Sequence, residues 1–258
     1  MAICQGYGDQ VAMKTHWIFA GIQASAWLIW ALLLSACASK PVPPDWQSNA
    51  FAALKGFSAA YLSGNTRLAD FEFARAKFEI ASTGRADLMA RAELTRCALR
   101  VASLEFDNCA HYQPLAPDAH PEEQAYAAFL TGQWAGLDAT RLPLQYRAIA
   151  LTAPTPPAPV AKHNGIESMQ DPLARLIAAG ALLQSRRLSA QDIASAVDTA
   201  SSQGWRRPLL AWLGVQLQAA RESADQPAAT RIQRRIDLVL QDARLTNALV
   251  NEAIAPSR

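Results

Sequence analysis

The chain has 258 residues, of which 51% are apolar and 18% are charged, and its formal net charge is +2. This is the composition of a globular protein, long enough for one sizeable core or two small ones. A net charge so near zero gives no sign of the clustered basic face that nucleic-acid binding needs. We therefore expect no nucleic-acid partner.

The first segment of interest is an uncharged run from Trp17 to Ala38, which follows a short basic start at Met13-Lys14. A run of this length is able to cross a bilayer as a helix, so an uncleaved inner-membrane anchor is one interpretation. The basic start and the small residues at the end of the run are instead typical of a cleavable secretion signal.

Residues 34–37 read Leu-Ser-Ala-Cys at the end of this run. They resemble the lipobox of bacterial lipoproteins, in which a Leu-type residue and two small residues precede a Cys. The resemblance implies cleavage between Ala36 and Cys37 and attachment of a diacylglyceryl group to the Cys37 thiol. Two or three acyl chains hold a protein on a membrane far more firmly than one chain does. Residues 1–36 are then a signal peptide, and residues 37–44 are the lipidated N-terminus and a Pro-rich tether.

The residues around this motif predict a start and a destination. Met13 fits a signal better than Met1 does, because the segment between them carries Asp9 and lacks basic character. In enterobacterial lipoproteins an Asp directly after the Cys retains the protein in the inner membrane. Ala38 and Ser39 stand there in this chain, so the resemblance implies the periplasmic face of the outer membrane, with the inner membrane as the alternative.

Alanine-rich periodic segments separated by turn residues indicate that the rest of the chain is helical. The pattern predicts helices at about 45–62, 66–83, 86–106, 121–131, 142–151, 172–185, 189–203, 208–224 and 228–253. Their apolar faces include Phe51, Leu54, Phe57 and Leu62 in the first helix, and Leu68, Ala69, Phe73, Ala76 and Ile80 in the second. We expect an all-α fold of antiparallel helical hairpins, arranged as a tetratricopeptide-like stack or a compact bundle.

Residues 152–170 interrupt this pattern with four prolines between Pro154 and Pro159. No helix continues through such a run, so we expect a linker or an ordered surface loop. It separates an N-terminal helical region, residues 45–151, from a C-terminal helical region, residues 171–258.

One hairpin, residues 50–83, resembles a tetratricopeptide repeat. The small, aromatic, small spacing of that repeat's second helix is matched by Ala69, Phe73 and Ala76. Gly56 and Ala60 in the first helix lie about one position off the family pattern, and the match does not extend at a regular period. Any helical hairpin that packs Ala against Phe is the alternative interpretation.

The cysteines Cys97 and Cys109 form a pair if Cys37 is lipidated and Cys4 lies before the true start. Disulfides persist outside the cytoplasm. If the third helix continued to Phe106, the chain after it could not return far enough for a bridge. A disulfide therefore requires the helix to end early or the chain to fold sharply back. Two buried, unpaired thiols are the alternative.

Motifs for catalysis and metal binding are missing from the sequence: there is no P-loop, no G-x-S-x-G and no H-E-x-x-H. His111 and His120 with Glu122 and Glu123 do not have the spacing of metal ligands, so we expect no metal and no cofactor. Two basic groups, at Arg206-Arg207 and at Arg231, Arg234 and Arg235, are interpreted as solvated helix faces or as a contact for an acidic partner or anionic lipid.

These features favour a non-catalytic protein, a lipid-anchored periplasmic scaffold or adaptor that holds an envelope protein partner near the membrane. This prediction comes from architecture and resemblance, and helical folds host many functions. The alternative is a cell-wall-associated enzyme or a peptidoglycan-binding lipoprotein, because the paired carboxylates of sugar-cleaving enzymes meet only in the folded chain.

Overall fold

The computed structural model describes the backbone of residues 43–152 and 165–254, and the side chains of residues 43–151 and 165–241. Within these ranges the chain forms α-helices and short 3-10 helices and no β-strand, which confirms the predicted all-α fold. The α-helices are α1 (Asp45–Ser63), α2 (Thr66–Ala81), α3 (Ala86–Ala102), α4 (Pro121–Leu130), α5 (Leu144–Thr152), α6 (Pro172–Gln184), α7 (Ala190–Ser202), α8 (Arg206–Glu222) and α9 (Gln226–Ile254). The 3-10 helices span Gln113–Asp118, Ala139–Arg141 and Ile166–Ser168.

Polar side chains fix where several of these helices begin. The Asn65 side chain accepts a hydrogen bond from the backbone N–H of Leu68 at 3.1 Å and so caps α2. Ser189 and Asp192 form a reciprocal capping box at the start of α7. Such caps satisfy backbone donors that have no partner inside the helix, which explains why the sequence located these starts well.

The end of α3 differs from the sequence prediction, because the helix stops at Ala102 and does not reach Phe106. Leu104 has a φ of 59°, in the left-handed region. The backbone N–H of Glu105 donates to the carbonyl of Arg100 at 2.9 Å, and the N–H of Leu104 donates to that of Val101 at 3.1 Å. This is the Schellman ending that glycine usually provides. No glycine marks it here, so the apolar pattern carried the predicted helix too far.

The hairpin of α1 and α2 is antiparallel. The Asn49 amide donates to Glu79 at 3.3 Å near one end, and the rings of Phe57 and Phe73 pack with centroids 4.7 Å apart. The three residues of α2 that match the tetratricopeptide spacing are all buried, namely Ala69, Phe73 and Ala76. Burial of these positions is common to any packed hairpin, so membership of that family stays a prediction.

The described residues from Asp45 onward form one compact unit. Helix α3 contributes buried side chains both to the cluster around the α1–α2 hairpin and to the larger cluster that includes α4, α6, α7 and α8. Helices α3 and α6 approach closely at Gly180, where an added Cβ would lie 2.2 Å from the carbonyl oxygen of Val101. Trp212 of α8 is fully buried, and its indole N–H donates to the Ala102 carbonyl at 3.0 Å.

Arg207 joins the α1–α2 hairpin to α8. Its Nε donates to the Tyr61 carbonyl at 2.8 Å, and one Nη donates to the Thr66 hydroxyl at 2.7 Å. The other Nη pairs with Glu105 at 3.0 Å, and the guanidinium lies 4.2 Å from the centre of the Tyr61 ring. The interpretation of this arginine as part of a solvated face is therefore wrong.

Candidate functional site

The residues predicted for lipidation and cleavage, Cys37 and Ala36, lie outside the described residues, as do the predicted signal peptide and His163. Most of the Pro-rich segment also lies outside them. The expectations for these residues remain predictions. The other candidate residues fall in the described part of the chain.

Cys97 and Cys109 are joined by a disulfide, with their Cα atoms 5.2 Å apart. The early end of α3 at Ala102 makes this geometry attainable, since the chain turns back before the second cysteine. Asn108 and Cys109 both have positive φ, 54° and 52°, which completes the turn. The bridge lies in the core, because both cysteines are buried.

Apolar side chains line the outer face of α2, and we call Leu68, Phe71 and Phe78 the α2 seam. Their exposed fractions are 44%, 61% and 76%. The buried residues of this helix, such as Phe73 and Ile80, lie on the opposite side of the helix at 3.6 residues per turn. The expectation that Leu68 belongs to the core face is therefore wrong. An exposed apolar row of this kind marks a candidate interaction surface.

Charged residues border the α2 seam on both sides. Arg75 lies between Phe71 and Phe78 along the helix and pairs with Glu72 at 2.9 Å. Arg67 and Asp70 are exposed near the N-terminal end of α2, on the other side of the seam from Glu72. An apolar row with a charged border is the usual anatomy of a protein–protein contact.

A cleft of about 380 Å³ opens between α3, α4 and the start of α5. Its apolar surface comes from Leu94, Tyr126, Leu142 and Pro143, and its charged rim from Arg91, Arg141, Arg147, Glu122 and Glu123. Acceptors hold each guanidinium in place: Arg91 Nε donates to Glu123 at 3.0 Å, Arg141 Nε to Asp138 at 3.2 Å, and Arg147 Nε to the Leu142 carbonyl at 2.8 Å.

The chemistry of this cleft suits binding. Guanidinium groups that are held on one side keep further N–H donors for a polar or anionic group. Thr95 also lines the cleft, and its hydroxyl donates to the Arg91 carbonyl at 3.0 Å. The Glu123 carboxylate is ion-paired with Arg91. Neither group is placed as a nucleophile beside a free base.

Burial raises the pKa of Tyr126, which lines the cleft, and of Tyr146 next to it, that of Tyr146 to about 12. The two rings are stacked with centroids 5.7 Å apart. A phenol whose pKa is raised in the folded state stabilises the fold below its unfolded pKa near 10, and this stability is lost as the pH rises through the folded pKa.

We therefore predict that the free energy of unfolding falls above pH 10. Tyr146 alone contributes a loss of about 1 kcal/mol between pH 9 and pH 11. Urea denaturation at both pH values measures this loss, with Tyr146→Phe as the matched variant. A stability difference between the two pH values that is the same in Tyr146→Phe as in the original chain would contradict the prediction.

Histidines and carboxylates do not converge in the described ranges. His120 Nε2 lies 3.8 Å from an Asp87 oxygen, and His111 sits apart near the disulfide. No group of three or more His, Cys, Asp or Glu side chains among the described residues is arranged to hold a metal ion. Residues 43–152 and 165–254 also contain no helix that is both long and apolar enough to cross a membrane.

No protein family, curated protein or solved structure matches this chain.

Proposed function

We propose that this protein is a lipid-anchored periplasmic adaptor that holds an envelope protein partner close to the membrane. Cys37 carries the lipid, and the α2 seam binds the partner. The observation that supports this proposal is the exposure of the seam, where Leu68, Phe71 and Phe78 lie on one outer face of α2 without a covering element in the described chain.

The spacing of the α2 seam favours a helical partner. Its members Leu68, Phe71 and Phe78 lie three and seven residues apart, which keeps them on one side of the helix as in a helix-packing surface, and the charged Arg75 stands between Phe71 and Phe78. The seam is about 15 Å long at 1.5 Å per residue. An amphipathic helix presents apolar side chains over the same length and at the same intervals.

The small binding free energy that the α2 seam is able to provide favours a partner that is also held at the membrane. Covering Phe71 and Phe78 would contribute about 2–4 kcal/mol, given how much of each ring is already buried. Association costs at least as much for two free molecules in solution. Two proteins held on the same membrane meet at a high effective concentration, which lowers this cost. The proposed lipid anchor and the modest seam are thus compatible.

The alternative function, a cell-wall-associated enzyme or a peptidoglycan-binding lipoprotein, would use the cleft between α3 and α5. Its rim carries two carboxylates, Glu122 and Glu123. The Glu123 carboxylate is already paired with Arg91, and the Arg141 and Arg147 guanidinium groups on the same rim suit a polar or anionic ligand, so binding is favoured over cleavage even in this alternative.

The adaptor proposal is tested by crosslinking the lipidated protein in intact cells, followed by affinity capture and mass spectrometry. We expect the double substitution Phe71→Asp with Phe78→Asp to reduce recovery of a specific protein partner by about tenfold or more. The matched control is Leu238→Asp, an exposed leucine of α9, which should leave recovery unchanged. Both variants change exposed residues, so the free energy of unfolding should move by only about 0.5 kcal/mol.

Equal recovery of the partner from the seam variant and the control would refute the role of the α2 seam. Recovery of peptidoglycan fragments and no specific protein would favour the alternative function. The anchor has a separate test, because Cys37→Ala should abolish incorporation of radiolabelled fatty acid. Persistence of the label in that variant would refute lipidation at this residue.

A further inference from the structure

A second exposed face of the N-terminal hairpin lies on α1. It is formed by Ser48, Phe51, Ala52, Lys55 and Ala59, all of which are exposed. The Phe51 ring is 71% exposed. Around Phe51 the face carries one positive charge, that of Lys55, and its small members are Ser48, Ala52 and Ala59. The exposed carboxylate of Asp45 lies at the N-terminal end of this face, about 9 Å along the helix axis from Phe51.

This face points away from α2. At 3.6 residues per turn, Phe51 lies about 150° around the helix axis from Asn49 and Gly56, which contact α2. The α2 seam and the α1 face therefore occupy different sides of the hairpin. A surface that covers the α1 face leaves the α2 seam accessible.

The chain length between the anchor and α1 limits where this face is able to lie. Seven residues separate Cys37 from Asp45, the first residue of α1. A fully extended chain over these steps spans about 28 Å at most. If Cys37 is acylated, the start of α1 stays within this distance of the lipid surface, and Phe51 is less than two turns further along the helix.

We propose that the α1 face lies on the phospholipid surface, with Phe51 at the boundary of headgroups and acyl chains and Lys55 beside the phosphates. The proposal rests on lipidation of Cys37. An aromatic ring with a neighbouring lysine suits this boundary, because the lysine stem lies along apolar surface while its ammonium stays among the polar headgroups.

The consequence of this contact is orientation. Two or three acyl chains already hold the protein on the membrane. Contact through α1 defines which side of the protein lies on the membrane, and the α2 seam, on a different side of the hairpin, stays accessible to the periplasmic partner.

Photocrosslinking of the full-length lipidated protein tests this inference. The protein carries p-benzoylphenylalanine in place of Phe51 and is reconstituted in vesicles of phosphatidylethanolamine and phosphatidylglycerol that contain radiolabelled phosphatidylethanolamine. The matched control carries the same group in place of Phe78, which is similarly exposed on the α2 seam. We expect about tenfold more phospholipid adduct at position 51 than at position 78. In cells, position 51 should again give phospholipid adducts.

The same samples are labelled with fatty acid, which separates the two proposals. A lipidated protein with equal or no phospholipid adduct at position 51 overturns the membrane contact and leaves the adaptor function in place. A protein adduct at position 51 in cells also overturns the contact. Absence of fatty acid on Cys37 overturns the lipid anchor together with this inference.

Discussion

Replacing Gly180 by alanine is expected to destabilise the protein by about 3 kcal/mol. The added Cβ would lie 2.2 Å from the Val101 carbonyl oxygen and 2.9 Å from its carbonyl carbon. These are backbone atoms of α3, so no side-chain rotation relieves the clash and the two helices must separate. Separation would loosen the contact between α3 and α6 on which the larger hydrophobic cluster depends. Urea denaturation of the Gly180→Ala variant measures the loss.

The matched control is Gly214→Ala in α8. Gly214 is also helical, but a Cβ there would meet no atom within 4 Å. Alanine is favoured over glycine in a helix interior by about 0.5–1 kcal/mol, so this variant should be more stable than the original chain. The two substitutions are chemically identical and have opposite expected signs. A loss of less than 0.5 kcal/mol for Gly180→Ala would show that α3 and α6 do not approach as closely as described.

Removing the disulfide is expected to lower the free energy of unfolding by about 3 kcal/mol. The bridge closes a loop between residues 12 positions apart, and the unfolded chain gains conformational freedom when it is opened. The double variant Cys97→Ala with Cys109→Ala avoids a free thiol and tests this directly. Its thermal unfolding should match that of the original chain in dithiothreitol.

The reductant itself provides the control for this experiment. Dithiothreitol should lower the melting temperature of the original chain and leave that of the double variant unchanged. An original chain whose melting temperature is insensitive to the reductant would mean that Cys97 and Cys109 are not bridged in solution.

The sequence predicted the helices well wherever a polar cap or a glycine marks their ends. Gly64, Gly84 and Gly204 all have positive φ and follow helices at the predicted places. Leu104 and Arg186 adopt the same left-handed conformation without being glycine. A leucine at such a position looks like one more apolar residue of the helix, so α3 was predicted to be too long. The end of that helix is set by packing around it, which local sequence does not contain.

The candidate site was less predictable, because apolar periodicity does not tell which face is covered. Phe51 was assigned to the core face of the first helix and is exposed. Helix α2 carries phenylalanines on both sides, and only the folded chain distinguishes buried Phe73 from exposed Phe71. Arg207 shows the reverse error: as one of two adjacent arginines it was assigned to a solvated helix face, but its guanidinium binds the Tyr61 carbonyl and lies against the Tyr61 ring.

The position of Arg207 has a mechanical consequence. Tyr61 and Thr66, to which it is bound, lie at the turn that joins α1 to α2, whereas the N-terminal chain enters at Asp45, the other end of the hairpin. A pulling force applied through the N-terminus therefore acts on the Asp45 end of α1, whereas the hydrogen bonds of Arg207 hold the hairpin to α8 at the opposite end. The load acts along the helix, in shear, and the fastening arginine lies more than 140 residues further along the chain. If the hairpin separates from the rest of the protein contact by contact, the first contacts to break are those near Asp45, and the Arg207 contacts at Tyr61 and Thr66 break last.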